Sequence, residues 1–266
     1  MLKLCGATMW GSSFPISKLK QPKSPMTLYV DTEQLPATGP DEHIYLYQEP
    51  FVITNLRPFI LTHWKKFKYI LTYDDTLLHL PNAHKFIPAC TWISQHDAES
   101  IQIEQKKFQI SSLTGAKAFT TGHKFRLEVL KRASEFSIPS TFFRTNVPPM
   151  TPKLSDKIHL FREYQFSLII ENTRLNNCFT EKLCDCLYTK TIPIYYGSPN
   201  ISEYFDTTGW IILENETVDE LLAKLRTLDE SWYQRHLDTV MKNYESVLQY
   251  ISYEGNINRV LNTLDY

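Results

Sequence analysis

The residues of this chain best suited to chemistry lie in segment 164–205, YQFSLIIENTRLNNCFTEKLCDCLYTKTIPIYYGSPNISEYF. Its apolar opening reads as a buried strand ending in Glu171-Asn172, and open α/β sheets gather ligands at the carboxyl ends of their strands. A polar loop follows, and Thr180-Glu181-Lys182 then starts a helix. Free backbone N–H groups and the positive dipole end attract phosphate at such a start, and Lys182 adds a full charge. That combination suits a diphosphate. It also suits an ordinary helix start, with Thr180 as cap, Glu181 complementing the dipole and Lys182 in solvent.

Other candidate constellations carry less. The five cysteines, Cys5, Cys90, Cys178, Cys184 and Cys186, are an odd number without CxxC spacing, which fits a reduced intracellular chain. Cys184 and Cys186, two apart on an expected helix, point apart and do not share a metal. Asp74-Asp75 are adjacent rather than spaced, and read as a turn or helix cap before TLLHL.

Alternating strands and helices must position these residues. Before residue 95, short runs at 26–31, 43–47, 68–73 and 85–87 read as buried parallel strands. Polar residues crowd at 95–107, and a domain boundary is placed there, giving 1–104 and 105–266. Beyond it strands are expected at 108–113, 141–144, 165–170 and 191–196, with helices at 123–136 and 180–188. Thr217-x-x-Glu220 forms a capping box, and a long helical stretch is read from Ser231 to about Tyr253. Such alternation implies right-handed crossovers and parallel sheets. The expected fold is α/β, with two Rossmann-like domains facing a cleft and a C-terminal helix.

The pattern ENT-x₅-FTEKL, IPIYYG, SPN-x₃-YF resembles the donor-binding motif of the α1,3/α1,4-fucosyltransferases, inverting GT-B enzymes that use GDP-fucose. Upstream, GAKAFTTGHKFRLEVL is similar to that family's strand, loop and Arg-bearing helix, and FKYILTYDDTLLHLPNAHKF resembles a first-domain pattern of bacterial and viral relatives. The resemblance implies a GT-B fold, with residues 1–104 on the acceptor side and 105–266 binding the donor. It implies that Arg126, Glu171, Asn172, Glu181 and Lys182 bind the donor, Arg126 and Lys182 flanking its diphosphate. Cys178 departs from the pattern, since the family generally has an aromatic beside the nucleotide there. A UDP-sugar donor therefore stands as an alternative, and an inactive glycan- or nucleotide-sugar-binding module as another. No Asp-x-Asp occurs, so metal-independent transfer is expected, with no cofactor beyond the co-substrate.

Inversion by direct displacement needs a group that removes the acceptor hydroxyl proton. Glu49 is assigned that role: it follows the strand at 43–47, precedes Pro50, and QEP resembles the acid-proline setting of the family's base. Asp31 and Glu33, after the strand at 26–31, are rivals, and His96 and Asp97 follow. His123 is read as a helix cap or surface residue near the donor, Arg174 as reaching nucleotide or solvent, and Gly197 as permitting a close backbone approach. Trp10, Tyr29, Tyr45 and Trp92 are candidate stacking faces for the acceptor glycan.

Composition excludes several classes. Lys plus Arg is 28 against 29 Asp plus Glu, a net charge of −1, so no field draws the chain to nucleic acid. Nothing approaches the roughly 18 apolar residues of a spanning helix, and MLKLCGATMWGSSFP has no signal-peptide pattern. The expectation is a soluble, cytoplasmic protein.

Overall fold

In the computed structural model of the chain, which describes residues 1–6, 14–145 and 156–265, the early apolar runs form a parallel sheet. Its strands are β1 (Leu2–Cys5), β2 (Met26–Val30), β3 (His43–Tyr47), β4 (Tyr69–Thr72) and β5 (Ala83–Lys85), hydrogen-bonded in that order. Every residue of β3 is buried, as a central strand covered on both faces requires. Helix α1 (Arg57–His63), with a proline in its first turn where the missing N–H is harmless, links β3 to β4. It lays Ile60 against Tyr45, Tyr47, Phe67 and Ile70 in one core.

Helix α2 (Gln95–Glu99), capped by Ser94, occupies the polar stretch read as a boundary. The second parallel sheet contains β6 (Lys107–Gly115), β7 (Ser140–Thr145), β8 (Tyr164–Ile170), β9 (Ile192–Tyr196) and β10 (Ile211–Ile212), in the order β10-β9-β8-β6-β7. Strand β6 has β7 on one side and β8 on the other, so the strand order reverses at β6/β8. Such a reversal opens a crevice beyond the carboxyl ends of the two strands. Helix α3 (Thr121–Lys131) follows β6 and α4 (Glu181–Tyr188) follows β8. The core joins Ile110, Phe166 and Ile194 of the strands to Phe125 and Val129 of α3 and Leu221 and Leu225 of α5 (Val218–Leu225).

Two helical readings change. Helix α3 ends at Lys131, with a 3-10 turn in place of its expected last turn. The stretch from 231 to 253 is not one helix: α6 (Trp232–Arg235) and α7 (Leu237–Val247) break at His236, and Ser252 caps a separate α8 (Tyr253–Leu261).

The chain divides into two compact units, Met1–Ala89 with Leu175–Cys178 and Ser252–Tyr266, and Cys90–Arg174 with Phe179–Ile251. This division differs from a split at 104/105 in three ways, one being that Leu175–Cys178 belong to the first unit. Residues 90–104 join the second unit, where Thr91 Oγ1 and Trp92 N donate to Asp185 Oδ1 of α4 at 2.6 and 2.8 Å. Helix α8 joins the first, where Asn256 Nδ2 donates to the Ala89 carbonyl at 2.8 Å and Lys20 N donates to Asn258 Oδ1 at 2.6 Å.

Candidate functional site

Past the end of β6, residues 116–119 are exposed and Thr120 caps α3. Thr120 Oγ1 accepts from His123 N at 3.1 Å, and the His123 ring turns back to Thr120, Nδ1 to Oγ1 at 2.8 Å. His123 is thus a cap, but a buried one rather than a surface residue. Gly122 N donates to the Asn172 carbonyl at 3.1 Å. A Cβ on Gly122 would stand 1.8 Å from the Glu171 carbonyl oxygen, so only glycine lets the start of α3 approach the end of β8 this closely.

One turn along α3, Arg126 reaches the same point. Its Nε and Nη2 donate to the Ile170 carbonyl at 3.0 and 2.7 Å, and Nη2 also donates to Asn172 Oδ1 at 2.8 Å. Glu171 is buried and turned toward α4, where Thr180 N and Oγ1 donate to its carboxylate at 2.9 and 2.8 Å. Lys182 Nζ lies 3.4 Å from Glu171 and 3.2 Å from Glu181. Gly197 closes the far side, its Cα so near that an added Cβ would stand 2.8 Å from Glu171 Cγ.

The electrostatics follow from these placements. Burial favours neutral Glu181, yet Lys182 and Lys157 outweigh it and hold the carboxyl below its usual range. Burial likewise works against the Lys182 ammonium, which Glu181 and Glu171 nevertheless keep charged. His123 is pushed down to about 4 by burial and by Arg126, Lys117 and Lys182, so it is neutral at physiological pH and sits in a cationic field. The arrangement can receive an anion: two cations reach a strand end where a helix also begins.

Arg126, Glu171, Asn172, Glu181 and Lys182 therefore come together at the β6/β8 reversal, with Glu171 shaping the loop rather than facing outward. Sequence reasoning missed Lys117, on the exposed loop, and Lys157. The Lys157 ammonium lies 2.5 Å from Asp185 Oδ2 and 4.2 Å from the Trp92 ring centre. No motif announces Lys157, whereas Lys117 could have been flagged by its place after a strand. Arg174 does not turn to the site, since it bonds Glu214 at 3.1 Å and lies 5.9 Å from the Tyr196 ring.

In the first unit, Glu49 lies half-buried just beyond β3. Tyr29 and Tyr45, candidate stacking faces, are core residues packed edge-on against Phe67 and offer no face to a sugar. Trp92, in the second unit, is 57% exposed. Trp10 lies outside the described residues. Among the described residues, no group of three or more His, Cys, Asp or Glu is arranged to hold a metal, and no helix is long and apolar enough to cross a membrane.

Comparison with known proteins returns to the same segment. Residues 128–255 match glycosyltransferase family 10 (fucosyltransferase), C-terminal part. The match holds Glu171, Asn172, Glu181 and Lys182 and begins just after Arg126. The chain is 29% identical over 91 residues to the alpha-(1,3)-fucosyltransferase FucT of Helicobacter pylori, covering 34% of this chain and 19% of that protein. It is 30% identical over 106 residues to GDP-fucose protein O-fucosyltransferase 3 of Bos taurus, covering 35% of this chain and 22% of that protein. The matches thus span about a fifth of these relatives' length. A crystal structure of an alpha1,3-fucosyltransferase with GDP-fucose superposes with a TM-score of 0.56 at 13% identity, over 94% of this chain and 90% of that one. Two parallel sheets, the strand reversal and these likenesses converge: residues 128–255 are similar to the C-terminal part of glycosyltransferase family 10 (fucosyltransferase), and the fold is that of the GT-B glycosyltransferases.

Proposed function

We propose that the chain is an inverting glycosyltransferase that moves a sugar from a nucleotide diphosphate sugar, with GDP-fucose the favoured donor, to a glycan hydroxyl. The observation that carries this reading is the convergence of Arg126, Asn172 and Lys182 at the strand-order reversal, in and beside the matched region. In the proposed reaction the acceptor oxygen bonds to the anomeric carbon as the bond from that carbon to the β-phosphate oxygen breaks. The nucleoside diphosphate leaves with the electron pair, and Arg126 and Lys182 offset its charge. The hydroxyl proton goes to Glu49. The chemistry asks for no resident cofactor. Five cysteines, an odd number without CxxC spacing, support a reducing, cytoplasmic setting for it.

A thermal-shift panel of GDP, UDP, CMP and their sugars tests the donor. A ligand bound only by the folded chain at about 100 times its Kd adds about 2.7 kcal/mol of stability. Stabilisation by GDP and GDP-fucose, followed by transfer to a glycan with inverted anomeric configuration, is the expected result. Stabilisation by UDP alone would move the reading to a UDP-sugar. Donor binding without transfer would leave a nucleotide-sugar-binding module.

A further inference from the structure

Two acids stand side by side on the carboxyl edge of the first sheet. Asp31 follows β2 and Glu49 follows β3, strands paired in parallel with Val30 opposite Leu46. Asp31 is held at φ +43°, a left-handed conformation that Asp tolerates better than most residues because its short side chain bonds locally. Its N–H donates to the Leu46 carbonyl at 3.1 Å, and its Oδ1 accepts from Gln48 N at 3.0 Å. The backbone N–H of Glu49 lies near enough to favour the ionised carboxyl as well. Asp31 thus grips the main chain on both sides of the end of β3. Its Oδ2 is buried and has no hydrogen-bond partner among the described residues. Around it, Tyr253 donates to the Gln48 side chain and Tyr73 donates to the Glu49 carbonyl at 3.4 Å.

We infer that Asp31 is a positioning residue for Glu49: it fixes the Gln48-Glu49 main chain at the end of β3 and so sets the direction in which the base is presented. The inference rests on Glu49 being the base. Burial lifts Asp31 to about 7, the charge of Glu49 adds to the shift, and the Gln48 and Glu49 donors work against it. Tyr45 and Tyr47 of β3 also face Asp31, and Tyr47 stands in the fields of Asp74 and Arg57 as well. Burial keeps both phenols protonated, so the acid facing Asp31 is Glu49. Below about pH 7 Asp31 is protonated and neutral, so what it lends Glu49 there is the hold on the main chain and not charge.

The experiment is the pH profile of kcat and of donor KM for the full chain and for Glu49→Gln, Asp31→Asn and Asp31→Gly. Asn and Gly both accept the left-handed conformation, so neither substitution strains the fold. Glu49→Gln is expected to lose transfer by about 100-fold or more at every pH. Asp31→Asn keeps an acceptor for the Gln48 N–H and with it the hold on the main chain, so kcat and donor KM should stay within about twofold of the unaltered chain. Asp31→Gly also releases the main chain, so kcat should fall about tenfold. A normal kcat in Asp31→Gly, or a kcat in Asp31→Asn as low as in Asp31→Gly, with Glu49→Gln inactive, overturns the inference and leaves Glu49 as base. Transfer by Glu49→Gln, with Asp31→Asn inactive, overturns the assignment of Glu49 and makes Asp31 the base.

Discussion

Arg126 donates to Asn172 Oδ1 at 2.8 Å while its guanidinium also closes on the Ile170 carbonyl. One side chain thereby ties α3 to the end of β8 across the reversal in strand order. Nε and Nη2 are engaged in these bonds, and Nη1 is the group that the proposed reaction assigns to a phosphate oxygen.

Replacing Arg126 or Lys182 by alanine should therefore cost transfer about 2–4 kcal/mol in the transition state, read as a fall in kcat/KM. Arg126→Lys should recover little, because a lysine cannot span Ile170, Asn172 and a phosphate at once. Near-normal kcat/KM in both alanine variants would remove the diphosphate from this site.

His123 reports on the same field. Burial and the cations Arg126, Lys117 and Lys182 hold its imidazole down at about 4. A bound diphosphate sets negative charge against those cations, which favours the imidazolium, so saturating GDP should raise the pKa of His123. The NMR titration of its ring proton measures the change. A pKa that stays fixed under saturating GDP would place the anion elsewhere.

Transfer should persist in excess EDTA, since the sequence has no Asp-x-Asp and Arg126 and Lys182 are the groups assigned to the leaving charge. Activity lost on chelation and restored by Mn²⁺ or Mg²⁺ would contradict the metal-independent reading.

Asp75 predicts a separate effect. Its carboxylate accepts from Asn176 Nδ2 at 2.8 Å and Asn177 Nδ2 at 2.6 Å, holding the tip of the loop between β8 and α4. Asp75→Ala should raise donor KM about tenfold with kcat little changed, and Asp75→Asn, with one acceptor oxygen left, should recover part of it. An unaltered KM in Asp75→Ala would mean that the loop keeps its shape without this hold.

The β8-loop-α4-β9 segment was legible because long buried runs, a helix cap and a charged helix start fall close together. Of Asp74-Asp75, the capping role was legible for Asp74, whose Oδ1 accepts from Thr76 N at 3.0 Å. The role of Asp75 was not, because its partners lie about a hundred residues on. Strands β1 and β10, of four and two residues, are too short to show a period and are held by their neighbours. Tyr29 and Tyr45 show why an aromatic near a strand end cannot be read as a ligand face: both fill core space beside Phe67. The grip of Asp31 on Gln48 depends on a left-handed backbone that no local pattern announced.

That α8 belongs to the first unit has a consequence for biosynthesis. The ribosome delivers the first sheet early, yet Tyr253 of α8 bonds Gln48 at its edge, and Asn256 and Asn258 bond Ala89 and Lys20. The nascent amino-terminal part must wait, incomplete, through translation of the whole second unit before its last helix arrives. Apolar surface meant for α8 is meanwhile open to chaperones and to self-association. The long sequence separation of these contacts makes closing the first unit a late and slow step.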